Sequence, residues 1–133
     1  MSAKGQCQCG TVVFEVKGSL GEVRYCHCLN CRQATGSAFS ANAKVPLKRF
    51  ALLSGQDALS RYEARKGVIR HFCSQCGSSI YVTLAAEPDF VRPRIGALEG
   101  TVDVSISAHV WVSDKAPWHE IADGLPQFEE AAP

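Results

Sequence analysis

Seven cysteines carry the chemistry open to this sequence, and they fall into three groups. Cys7-Gln-Cys9-Gly10 opens the chain, Cys26-His-Cys28-Leu-Asn-Cys31 follows, and Cys73-Ser-Gln-Cys76-Gly77 comes much later. The first and third are alike, since each ends in Cys-Gly and runs into an apolar, strand-like stretch. In Cys-x-Cys the side chains at i and i+2 share one face of an extended segment. In Cys-x-x-C they meet across a tight turn. Two such half-sites supply the four sulfurs that a structural zinc takes tetrahedrally at about 2.3 Å. Cys7 and Cys9 are therefore paired with Cys73 and Cys76, a metal clip between distant parts of the chain. Gly10 and Gly77 suit this place because a chain turning around a metal often needs positive φ.

The middle group is of another kind. Cys26, Cys28 and Cys31 come from six consecutive residues and can cover only one side of a metal. Its fourth position must come from elsewhere or stay open, and three protein ligands with one exchangeable position is the pattern of a catalytic zinc. Three thiolates leave Zn²⁺ with a net charge of −1, which weakens it as an activator of water. Capture of a substrate thiol as its thiolate is the more natural task. Other readings stay open at this level. A histidine, His27, His71, His109 or His119, is an alternative fourth ligand. One zinc with three ordinary buried cysteines is another alternative, and a redox pair at Cys73 and Cys76 is a third, although the βαβ setting of such a pair is absent. His109, Trp111 and Trp118-His119 fit either a pocket wall or aromatic packing around a satisfied histidine. Arg32, Arg92 and Arg94 are candidates to hold the carboxylates of an anionic substrate.

The elements that position these groups read as strands. Val12, Phe14 and Val16 share a face before the turn at 18–21, and Phe39, Ala41, Ala43 and Val45 alternate with polar residues until Pro46. Lys66-Gly67 reads as the turn of a hairpin joining 59–64 to 68–72. Ile80, Val82 and Leu84 follow the last cysteine pair, and the longest alternation runs from Val102 through Val104, Ile106, Ala108 and Val110 to Val112. A run of that length is expected to break or bend once. Helix is expected only in short pieces, in 32–37 or near 118–122. The reading is a mainly β fold of short antiparallel strands, one zinc domain over 1–133, with 128–133 as a loose tail.

Composition narrows the partners. The chain has 133 residues, 46% hydrophobic and 20% charged, with a formal net charge of +1. Seven thiolates and two divalent cations would turn +1 into −2. The densest basic stretch, 61–70, is interrupted by Glu63 and reads as a solvated face, so no nucleic-acid partner is expected. The opening residues carry no apolar leader, and no window approaches the roughly 18 apolar residues of a membrane span. A cytoplasmic protein is expected, where thiols stay reduced and clustered cysteines mean metal more often than disulfide.

The run Tyr25-Cys-His-Cys-Leu-Asn-Cys-Arg32-Gln-Ala-Thr-Gly36-Ser-Ala-Phe39, with Cys7-x-Cys9-Gly10 before it and Phe72-Cys-x-x-Cys76-Gly77 after it, resembles the glutathione-dependent formaldehyde-activating enzyme family. The likeness continues through Arg94-Ile-Gly96-Ala-Leu98-Glu, His109-Val-Trp111 and Ala116-Pro-Trp118 to Leu125-Pro-Gln-Phe128. The resemblance implies a zinc-bearing β-tent fold, with a structural zinc on Cys7, Cys9, Cys73 and Cys76 and a catalytic zinc on Cys26, Cys28 and Cys31. It further implies glutathione as cosubstrate and a carbon–sulfur lyase run in reverse, giving S-(hydroxymethyl)glutathione from glutathione and formaldehyde. A related thiol enzyme with another small electrophile, or a non-catalytic zinc-stabilised binding module, is the alternative.

Overall fold

The computed structural model describes all 133 residues, Met1–Pro133. Eleven strands and one short α-helix make up its regular structure: β1 (Ser2–Gln6), β2 (Val13–Lys17), β3 (Glu22–Cys26), α1 (Leu29–Thr35), β4 (Ser40–Ala43), β5 (Val45–Pro46), β6 (Phe50–Ser54), β7 (Leu59–Arg65), β8 (Val68–Cys73), β9 (Ser79–Leu84), β10 (Phe90–Pro93) and β11 (Ser105–Val110). They form three sheets, in the orders β1-β2-β6, β5-β10-β9-β8-β7 and β11-β3-β4. The mainly β reading holds. Every strand pair is antiparallel except β11 with β3, which run parallel. No helix is long and apolar enough to cross a membrane.

The alternation in β2 works as its pattern requires. Val12, Phe14 and Val16 are completely buried and meet Val23, Val45, Ile80 and Val91 in a core between the sheets. β1 has no apolar pattern of its own and forms because β2 offers it an edge. Its Gly5 lies opposite Phe14, and a Cβ there would stand 2.5 Å from the Phe14 ring, so only glycine lets the ring cross the strand. The hairpin β7–β8 turns at Lys66-Gly67 as expected, with Gly67 at φ 78°.

Four expectations are corrected. The 39–45 alternation is not one strand: it breaks at Lys44, so that β4 joins β3 and β5 joins β10. The helix begins at Leu29 rather than Arg32, because the Cys28 sulfur caps its start by accepting from the Cys31 N–H. Residues 118–122 make turns and no helix. The long late alternation is a strand only over Ser105–Val110, with an irregularity between Ile106 and Ala108 that puts Ala108, His109 and Val110 all in the interior. The end of the chain is also held. His109 N–H bonds the Pro126 carbonyl, Phe128 N–H bonds the His109 carbonyl, and Trp111 N–H bonds the Glu130 carbonyl.

Phe14 is the largest fully buried side chain and stacks on Phe50 at 5.5 Å between ring centres. Phe14→Ala is expected to cost about 3–5 kcal/mol of unfolding free energy in urea titration at fixed metal content. A loss under about 1 kcal/mol would mean that the core does not converge on this ring.

Candidate metal centre and anion pocket

The two segments that carry the outer cysteine groups are brought together by the sheets that flank them. Cys7 and Cys9 sit in the β1–β2 connection, Cys73 ends β8 and Cys76 sits in the β8–β9 connection. Their four sulfurs lie within 4.8 Å of one another. Cys7 and Cys9 sulfurs are 3.6 Å apart, and Cys9 and Cys73 sulfurs 3.8 Å. Those spacings are far too long for disulfides. They match the roughly 3.8 Å edge of a tetrahedron whose centre lies about 2.3 Å from each sulfur, so this donor set fits a tetrahedral thiolate metal. Gly10 and Gly77 have φ of 79° and 80°, as the turn demands. Their N–H groups bond the Cys7 and Cys73 carbonyls rather than the sulfurs, and it is Val12 N–H that points at the Cys7 sulfur at 3.2 Å. A hydrogen bond with the Ser78 hydroxyl, followed by the Ser78 backbone N–H, lowers the Cys76 thiol to about 5.

Cys26 ends β3, Cys28 caps α1 and Cys31 lies in its first turn, so one strand-to-helix junction supplies all three sulfurs within 4.8 Å. No histidine or carboxylate joins this group. Hydrogen bonds from Cys26 and then Cys31 favour the thiolate of Cys28, and the same contact with Cys28 pushes the Cys26 thiol far up. Without a cation the trio therefore shares its protons, and a divalent metal fits by replacing them.

The histidine alternatives go elsewhere. His71 stacks on Tyr81 at 4.1 Å and bonds the Thr83 hydroxyl. His27 is completely buried behind the trio, with its Nε2 2.8 Å from Nδ1 of His109, whose Nε2 lies 2.9 Å from Asp123 Oδ2. A carboxylate only accepts, so His109 donates from Nε2 to Asp123, and a single hydrogen links its Nδ1 to His27 Nε2. Burial, then the neighbouring His109, pulls His27 down to about 4, and the ring is neutral. His109 is thus a satisfied interior histidine rather than a pocket wall. Trp118 is 71% exposed, and Trp111, at φ 58°, borders a small recess beside Cys28.

A cavity of about 310 Å³ opens directly on the three sulfurs. One wall is the β3–β4 face and α1, with Glu22, Arg24 and Cys26 at alternate positions of β3. The facing wall is the five-stranded sheet. There Arg70, Val82 and Arg92 lie in register across β8, β9 and β10, with Val68, Leu84 and Arg94 beside them. Arg65 and Lys44 complete a lining of six cationic side chains against one carboxylate, Glu22, which pairs with Arg24 at 3.2 Å. Glu87 holds Lys44 and Arg92. Arg65, Arg70 and Arg94 have no carboxylate partner, and Arg70 Nε and Arg92 Nη1 are buried with no hydrogen-bond acceptor at all. Of the arginines singled out in the sequence, Arg92 and Arg94 line the cavity and Arg32 does not. Arg70, read as part of a solvated stretch, is half-buried in the cavity wall, while Arg65 borders the cavity and stays exposed. Arg24 was within reach of sequence reasoning, two residues before Cys26 on one strand face.

The sequence model of the family described as glutathione-dependent formaldehyde-activating enzyme matches residues 2–114, a span that holds all seven cysteines. A Halomonas elongata protein provisionally named for that activity is 28% identical over 129 residues, covering 91% of this chain and 82% of its own. An uncharacterised lyase of Schizosaccharomyces pombe is 23% identical over 127 residues, covering 94% of this chain and 89% of its own. The crystal structure of a Rhodobacter sphaeroides protein matches with a TM-score of 0.62 at 25% identity, over 74% of this chain and 89% of that one. The chain belongs to the glutathione-dependent formaldehyde-activating enzyme family.

Proposed function

We propose that this protein is a two-zinc enzyme that binds glutathione in the cationic cavity and joins its sulfur to formaldehyde, forming S-(hydroxymethyl)glutathione. The observation that carries the reading is a three-cysteine group, with no fourth protein ligand, opening onto a cavity whose far wall is arginine-rich. In this reading Cys7, Cys9, Cys73 and Cys76 hold the structural zinc, and Cys26, Cys28 and Cys31 hold the catalytic one. Zinc at the second site supplies a soft Lewis acid that keeps a substrate sulfur as its thiolate.

The rest falls to the chain's own side chains. Glutathione carries two carboxylates, and the unsatisfied donors of Arg70 and Arg92, with Arg65, offer charge-assisted hydrogen bonds to them. Val68, Val82 and Leu84 exclude water from one side of the cavity. No histidine lines it, so no general base is assigned: the thiol proton leaves to solvent, and the carbonyl oxygen takes one back as the carbon–sulfur bond forms. At about 310 Å³ the cavity lies at the lower end of small-molecule sites, which suits a tripeptide held with part of its length outside. A reducing, cytoplasmic compartment suits seven free thiols.

Metal content tests the assignment first. Elemental analysis is expected to give about two zincs per chain for the wild type and about one for Cys28→Ser, with the fold retained. Cys73→Ser should instead lower thermal stability sharply, because its sulfur lies in the core. One zinc in both the wild type and Cys28→Ser would move the reading to a non-catalytic module.

Ligand charge is the second check. By titration calorimetry glutathione should bind saturably, and Arg70→Gln should weaken it about 10- to 100-fold, the range for losing a hydrogen bond to a charged group. The neutral thiol 2-mercaptoethanol should be unaffected by the same substitution. Equal losses for both thiols would remove the carboxylate role from Arg70. Turnover must be read as exchange between glutathione and its hydroxymethyl adduct above the uncatalysed rate, since the reaction also runs unaided.

A further inference from the structure

Arg94 is the most deeply buried cation in the protein, 6% exposed, and it has no carboxylate partner. Its Nε donates to Ser79 Oγ at 2.9 Å and its Nη1 to Asn42 Oδ1 at 3.1 Å, both neutral groups. Its backbone N–H bonds the Ile80 carbonyl. A buried charge without a counter-charge costs several kcal/mol, so a compensating anion is called for. The side chain lines the cavity together with Cys26 and Cys31. Five other cations, Arg24, Lys44, Arg65, Arg70 and Arg92, line the same cavity and add to the deficit, and its one carboxylate, Glu22, is paired with Arg24. Burial pulls the Arg94 guanidinium down. Apart from the Glu22 carboxylate, the acidic groups that line the cavity with it are the thiols of Cys26, Cys28 and Cys31.

We infer that Arg94 is the built-in counter-cation of the three-cysteine metal site, and that its charge favours a substrate thiolate over neutral water at the open position. The inference rests on the metal reading of Cys26, Cys28 and Cys31 given above. Three thiolates on a divalent ion carry −1, and a fourth thiolate brings the group to −2. Arg94 lowers the free energy of both states and lowers the second more, since attraction grows with the charge it faces. It is a positioning residue that acts through the field at the site. It bonds the strands β4 and β9 at the same time, which holds the charge at a set place between the two sheets.

The test is Arg94→Gln beside Arg94→Lys, each loaded with Co²⁺ in place of zinc. Sulfur-to-cobalt absorption reads both sites, and the four-sulfur site of the same chain reports that the fold is intact. Arg94→Gln is expected to keep the four-sulfur ion and to weaken Co²⁺ at the three-sulfur site by about tenfold or more. It should also raise the apparent pKa for glutathione binding by about one unit. Arg94→Lys should keep both values within a few-fold of wild type. Unchanged behaviour in Arg94→Gln, or equal losses in Gln and Lys variants, overturns the charge role. A wild type holding a single Co²⁺ per chain sinks the metal reading itself, which distinguishes that failure from one confined to Arg94. Should Arg94→Gln not fold, thermal midpoints of Cys31→Ser, Arg94→Met and the double variant decide. Removing the anion leaves a stranded cation, so the double variant should be more stable than additive losses allow, and simple additivity overturns the proposal.

Discussion

The rest of the structure hangs on the convergence of Cys7, Cys9, Cys73 and Cys76. Two of these sulfurs, on Cys7 and Cys73, belong to the hydrophobic core, 1% and 0% exposed, while Cys9 faces solvent. Four sulfurs this close cannot all ionise unless a cation sits among them. A metal held there would fasten the β1–β2 turn to the β8–β9 turn, and with it the three-stranded β1-β2-β6 sheet to the five-stranded one. Gly10 and Gly77 serve the same end, since both turns need a positive φ immediately after the second cysteine of each pair. Loop-closure entropy alone makes a cross-link of such sequence separation valuable.

The middle cysteines are built for the opposite purpose. Because one short junction supplies them all, binding a metal there closes no long loop and adds little to the fold. What it leaves is an uncovered face, and that face looks at a different sheet. Sulfur comes from the β11-β3-β4 side, together with Arg24, and the other guanidiniums from the side of the five-stranded sheet, so the cavity exists only because the two sheets face each other. Behind the junction the Asp123–His109–His27 chain of hydrogen bonds fills the space beneath the cysteines with oriented rings. That packing also explains why the last residues are ordered: Asp123 must reach His109, and the segment after it then bonds along β11.

Much of the local structure was legible. The β2 face, the turn at Lys66-Gly67 and the pairing of the first and third cysteine groups follow from periods, turn chemistry and ligand geometry that act over a few residues. The failures share a cause. β1 forms on a partner's edge, with a glycine chosen for the ring opposite, and nothing in Ser-Ala-Lys-Gly-Gln announces that. The 39–45 run keeps its alternation while changing sheets at Lys44, which no pattern along the chain records. His109 occupies a polar position by alternation yet lies inside, because an irregularity in β11 shifts the phase.

By itself the sequence determined which atoms could meet a metal and how many, because ligand type and spacing within Cys-x-Cys and Cys-x-x-Cys are covalent facts. It also determined that the middle group cannot enclose a metal by itself, since six residues cannot surround an ion; the structure then showed that no histidine joins it. Only the tertiary structure decided which charges face the open group. Arg65 and Arg70 stand in a stretch that reads as solvated, and Arg94 stands far from any cysteine in the chain. Cross-strand register put Arg70 and Arg92 on either side of Val82 in the wall of the cavity onto which the sulfurs open. An electrostatic environment is a sum over distances in space, and those distances exist only after the sheets have packed.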